Sequence, residues 1–95
     1  MHNRPYDIIV FGATGFTGKL VVEYLIEHYG VNNELFTWAI AGRNEDKIKK
    51  LIEKLALKND QVKKIKFLIA DSFDDKSLDH LSKSANLVIS TVGPY

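Results

Sequence analysis

A glycine triplet restricts the folding of this chain more than any other feature. Gly12, Gly15 and Gly18 lie three apart, directly after the run Ile8-Ile9-Val10-Phe11 and directly before a helical pattern. A short β-branched and aromatic run of that kind marks a strand buried on both faces, as in a parallel sheet. From Phe16 onward, the apolar positions Phe16, Leu20, Tyr24 and Leu25 recur at helical spacing and mark a first helix. Gly30 follows as the C′ residue, where a positive φ costs glycine least. Strand, glycine turn and helix in this order make the first part of a βαβ unit.

The rest of the chain repeats that unit. Phe36 to Ala41 reads as a second strand ended by Gly42. Asn44 is placed to cap a second helix, with Glu45 and Asp46 in its first turn and the apolar stripe Ile48, Leu51, Ile52 and Leu55. Ile65 to Ala70 is a third strand closed by Asp71. Leu78 and Leu81 mark a short third helix capped by Asp74 or Ser72, and Leu87 to Thr91 is a fourth strand. Trp38, inside the second strand, is expected in the core. The alternation predicts an α/β fold: the first half of a Rossmann-like doubly wound parallel sheet, with four strands in the order 3-2-1-4 and three helices.

Composition narrows the function classes. The chain has 95 residues, 45% hydrophobic and 26% charged, which describes a globular chain rather than a disordered one. A net charge of +1 gives no electrostatic reason to expect nucleic acid or an anionic membrane as partner. With no cysteine, disulfides, thiolate metal sites and thiol nucleophiles are excluded. His2, His28 and His80 show no metal-ligand spacing. The longest apolar run, Ile8 to Ala13, falls far short of the ~20 residues that span a bilayer. No secretory h-region precedes the first strand, so the cytoplasm is the default expectation. The lysines at 47, 49, 50, 54, 58, 63, 64 and 66 interleave with Glu45, Asp46, Glu53 and Asp60 and read as a solvated helix face.

In an open parallel sheet, ligands bind beyond the carboxyl ends of the strands where strand order reverses. Four loops converge there: 12–18, 42–44, 71–73 and 91–95. In the first, Gly12 permits a tight exit from the strand, Gly15 lets the backbone approach a pyrophosphate, and Gly18 lets the helix pack closely on the sheet. Amides at the start of the helix, around Phe16, then point at the phosphate, and Thr14 and Thr17 can add hydroxyl donors. In the second loop, Ala41-Gly42-Arg43-Asn44 has no carboxylate at the strand tip. Arg43 can fork onto a 2′-phosphate and Lys47 can add charge, which favours NADP; Glu45 lies close enough to leave NAD open. In the third loop, Asp71 and Ser72 sit where adenine rests, although helix capping explains Asp71 equally well. In the last, Thr91, Gly93 and Pro94 lie beside the expected ribose and nicotinamide.

These residues together resemble the saccharopine dehydrogenase-like oxidoreductases, especially their N-terminal NAD(P)-binding domain, as also found in trans-acting enoyl reductases. The resemblance rests on Tyr6 to Gly18, Trp38 to Asn44 and Ile89 to Tyr95, and covers nearly the whole chain. It implies that Gly12, Gly15, Gly18, Arg43, Gly93 and Pro94 contact the cofactor. Such proteins run to several hundred residues and carry a second domain that shapes the substrate site. Residues 1–95 are therefore expected to be one NAD(P)-binding domain at the start of a longer protein, with the catalytic residues elsewhere. The leading expectation is the NADP-binding portion of an oxidoreductase. A non-catalytic NAD(P)-sensing module and a truncated extended short-chain dehydrogenase or epimerase are the alternatives; no Tyr-x-x-x-Lys pair occurs here. The fourth strand, Leu87 to Thr91, is expected to offer an open edge for pairing.

Overall fold

The computed structural model describes residues 5–71 and 73–91. The elements run β1 (Tyr6–Phe11), α1 (Phe16–Tyr29), β2 (Trp38–Gly42), α2 (Glu45–Ala56), a 3-10 turn (Asp60–Lys64), β3 (Lys66–Ile69), α3 (Asp75–Ser84) and β4 (Ala85–Ser90). All strand pairings are parallel and the sheet order is β3-β2-β1-β4, as the alternation of elements predicts.

Two clusters of buried side chains sandwich the sheet, because successive strand residues point to opposite faces. Val10, Trp38 and Ile40 meet Val22 and Leu25 of α1 and Ile48 and Leu51 of α2 on one face. Ile9, Phe11, Ala39 and Ala41 meet Leu81 of α3 on the other. The small alanines let α3 lie close, whereas the α1–α2 face is filled by larger side chains. The Trp38 indole is buried and its Nε1 donates to the Gly30 carbonyl at 3.1 Å, tying β2 to the end of α1. At the amino end of the sheet Asp7 gathers three strands. Its carboxylate accepts from the Thr37 N–H at 2.9 Å and from Asn86 Nδ2 at 3.3 Å.

The α2 stripe packs inward as its periodicity predicts, but α1 lies differently. Phe16, Leu20 and Tyr24 are 82%, 51% and 54% exposed, and the buried face is Gly18, Val22 and Leu25. Both rows have helical spacing, so periodicity alone does not choose between them. The choice is made by Gly18, which must face the glycine turn and so rotates the Phe16 row outward. Other differences lie at element ends. Phe36 is outside β2, its N–H held by Asn33 Oδ1 at 2.9 Å. The 3-10 turn has no counterpart in the sequence reading. β4 begins at Ala85, directly after α3 and two residues ahead of the expected start. It is an edge strand with Leu87 54% exposed.

Candidate functional site

The carboxyl end of β1 is fastened before the chain turns. Gly12 adopts φ +87, and its N–H donates to the Ala41 carbonyl of β2 at 2.9 Å. Gly15 N–H then closes the turn onto the Gly12 carbonyl at 3.1 Å. The three glycines meet different demands. A Cβ on Gly18 would stand 2.0 Å from the Gly12 carbonyl oxygen and 2.8 Å from Ala13 Cα, so the fold itself requires glycine there. A Cβ on Gly15 would meet only the Gly12 oxygen, at an ordinary 3.5 Å, so nothing among the described residues demands its absence.

Gly15 is also the N-cap of α1, with no side chain to cap the helix and no acidic residue in the first turn. The N–H groups of Phe16, Thr17 and Gly18 have no hydrogen-bond partner among the described residues. A buried cradle is not required: Gly15, Phe16 and Thr17 are all exposed, and Thr14 is half-buried beside them. Free amide donors at the positive end of a helix dipole suit an anion approached from solvent. The turn therefore fits the pyrophosphate of a dinucleotide.

The neighbouring loops place the remaining candidates. Arg43 is exposed and follows β2 immediately, with no carboxylate in ion-pair reach among the described residues. The Asn44 side chain is used locally, its Oδ1 accepting from the Lys47 N–H at 3.1 Å to cap α2. Glu45, the residue that left NAD open, is paired with Lys49 at 2.8 Å. That hydrogen bond and the charge of Glu45 raise the Lys49 ammonium above its ordinary pKa. Asp71 Oδ1 accepts from the Phe73 N–H at 2.9 Å in a local turn, while Asp74 rather than Asp71 caps α3, accepting from the Lys76 N–H at 3.0 Å.

Thr91 connects the two strands at the reversal point. Its N–H donates to the Phe11 carbonyl at 2.9 Å, and its hydroxyl reaches the Phe11 and Gly12 carbonyls at 3.0 and 3.1 Å. The hydroxyl thus braces the glycine turn from β4. Ser72, Gly93 and Pro94, also expected at the site, lie outside the described residues.

A family model described as the saccharopine dehydrogenase NADP binding domain matches residues 8–95. The chain belongs to that family. As an NADP-binding domain of the saccharopine dehydrogenase type, it is 43% identical over 94 residues to a "Lipid droplet localized protein" of Caenorhabditis elegans, covering 95% of this chain and 21% of the relative. It is 36% identical over 97 residues to the human "Saccharopine dehydrogenase-like oxidoreductase", covering 97% of this chain and 23% of the relative. It is 32% identical over 92 residues to a "Trans-acting enoyl reductase" of Mycobacterium leprae, covering 97% of this chain and 20% of the relative. The chain thus spans about a fifth of the length of the curated relatives it matches.

One group of residues in this NADP-binding domain escapes the sequence reading. Lys47, Lys50 and Lys54 of α2 line a groove with Lys19 of α1, Thr14 and Leu51. The signal was present in the spacing. Lys47, Lys50 and Lys54 stand at i, i+3 and i+7 on one flank of α2, with Asp46 and Glu53 beside Lys50 at i−4 and i+3.

Proposed function

We propose that this domain holds NADP so that its nicotinamide is presented to a substrate for hydride transfer. Gly12, Gly15 and Gly18, with Thr14, Phe16 and Thr17, would receive the pyrophosphate. Arg43 would take the 2′-phosphate, with Lys47 adding charge; Asn44, Asp71 and Ser72 would line the adenosine half. Thr91, Gly93 and Pro94 would border the nicotinamide half, Thr91 chiefly by holding the turn in place. When bound, the cofactor supplies the hydride chemistry, and the protein contributes orientation and electrostatics. The observation that carries this proposal is the unpartnered start of α1 above a turn whose Gly15 meets no crowding from the described residues. The family description as an NADP binding domain supports the choice of cofactor, as does the engagement of Glu45 by Lys49.

Titrating NADPH and NADH against the wild-type chain and Arg43→Ala tests the assignment. A charge-assisted contact is worth about 1.5–3 kcal/mol, so NADPH should weaken by about 10- to 150-fold while NADH is unchanged. Equal weakening of both, or of neither, would show that Arg43 does not read the 2′-phosphate.

The whole protein we take to be longer than this domain, with the substrate and catalytic residues held by other segments; the small share of each relative that is covered supports this. The β4 edge is where a further strand or partner would pair. Amide exchange along β4 that is no slower in the longer protein than in this chain would refute that pairing. Among the described residues no helix is long and apolar enough to cross a membrane. We propose a cytoplasmic location, and the lipid-droplet name of one relative makes association with an organelle surface the alternative to check by fractionation.

A further inference from the structure

We infer that the outer side of α1 and the uncovered side of β4 form one docking surface, occupied by a helix of the longer polypeptide that returns from beyond the next crossover. The inference rests on the reading that the whole protein is longer than this domain.

α1 is apolar on two sides. Gly18, Val22 and Leu25 face the sheet, while Phe16, Leu20 and Tyr24 stand at i, i+4 and i+8 on the outside, 82%, 51% and 54% exposed. An apolar stripe on each side of a helix calls for a packing partner on each side. Lys19 lines the groove toward α2, and at about 100° per residue Leu20 and Tyr24 turn away from it, toward the β4 side. β4 continues the surface. Leu87 and Ile89 pair with Ile8 and Val10, whose side chains lie on the α1–α2 face of the sheet, whereas Val88 packs on the α3 face. α3 covers β4 from that other face, and on the α1 side Leu87 stays 54% exposed. The flank of α1 and the outer strand thus make an apolar step that fits one helix.

Handedness excludes the next crossover as the cover. α1 and α2 carry the chain from β1 to β2 to β3 across one face of the sheet, and α3 returns it to β4 across the other. A strand added beyond β4 continues in the direction taken through α3, so its right-handed connection lies on the α3 face as well. The segment over Leu87 and Tyr24 therefore comes from a more distant part of the chain.

Area favours a tethered segment over a second copy. With a whole aromatic side chain at about 150–250 Å², the exposed parts of Phe16, Leu20, Tyr24 and Leu87 amount to roughly 400 Å². A stable interface between separate chains takes about 800 Å² from each. A covalent tether offsets the shortfall through an effective concentration of about millimolar. Charge disfavours a lipid surface, because Glu23 and Glu27 share the exposed side of α1 where an interfacial helix carries Lys or Arg.

The test is made on the longer protein. Leu20→p-benzoyl-phenylalanine places a photoreactive group on the surface, light and heavy-isotope protein are mixed, and cross-linked peptides are mapped by mass spectrometry. The expected product joins α1 to a peptide of the same chain beyond the strand that follows β4. A cross-link to the stretch between β4 and that strand would overturn the inference. So would a cross-link between light and heavy chains, one to phospholipid, or none at all. Leu20→Ser/Tyr24→Ser is the second arm and should lower the melting temperature by about 2 °C or more. Leu35→Ser/Leu57→Ser, at residues 76% and 86% exposed away from this surface, should lower it by less than about 1 °C. Equal shifts in the two pairs would overturn the inference. A gene that encodes nothing beyond this domain would remove the underlying reading itself, and the inference with it, before any cross-link is sought.

Discussion

The helices α1 and α2 begin in the same place, each one short turn beyond a parallel strand, yet their first turns are built oppositely. α2 satisfies itself: Asn44 caps it, and Glu45 and Asp46 face its dipole. α3 does likewise, with Asp74 as cap and Asp75 beside it. α1 has Gly15 at the cap and no acid in its first turn. Two helix starts are thus closed by the protein's own oxygens, and one is left for an oxygen from elsewhere. Glycine caps a helix only a few tenths of a kcal/mol less well than Asn or Asp, so its use at α1 costs the fold little while leaving the first N–H groups to a bound anion.

That contrast can be attacked at three points. The largest effect is expected at Gly18. Gly18→Ala forces a methyl against the Gly12 carbonyl, where backbone rather than a flexible side chain must yield. The domain should lose about 3 kcal/mol in a denaturant melt, the upper end for an overpacked site. A loss under 1 kcal/mol would mean that α1 can lift off the turn, and that Gly18 does not fix its rotation. Next comes Gly15→Asp, which gives α1 the kind of cap that α3 has. Stability should move by only a few tenths of a kcal/mol, because glycine is itself a tolerable cap. NADPH and NADH affinity should both fall by about tenfold or more, through occupied donors and charge repulsion. Unchanged affinity would remove the anion from the start of α1. The smallest effect is Asn44→Ala, which should cost about 1 kcal/mol of stability and weaken cofactor binding by less than about tenfold, because its Oδ1 is already used to cap α2. A large affinity loss there would show that Asn44 serves the ligand as well as the helix.

What could be read from the sequence follows from which signals are local. Parallel strands announce themselves by runs such as Ile8 to Phe11, and Asn44 with its following acids marks a helix start without reference to anything distant. The order β3-β2-β1-β4 follows from alternation and crossover handedness alone. The outward turn of Phe16, Leu20 and Tyr24 could not be read this way, because it depends on a contact between Gly18 and the Gly12–Ala13 backbone. The role of Thr91 is equally non-local, since its partners Phe11 and Gly12 lie some 80 positions earlier in the chain. The lysine groove was hidden for another reason. Its residues come from two helices that are distant in sequence and line one groove only once packed.

The direct passage from α3 into β4 has a mechanical consequence. Ser84 ends the helix, its hydroxyl bonded back to the His80 carbonyl at 2.8 Å, and Ala85 is already paired with Tyr6. No residue is spare at this joint, whereas five separate β3 from α3. One inserted residue after Ser84 would either turn every β4 side chain to the opposite face or push the strand forward against β1. The strand has no slack to absorb the shift, and its far end is the Thr91 hydroxyl that braces the glycine turn. Length at this one junction is therefore as much a determinant of the phosphate cradle as the glycines themselves.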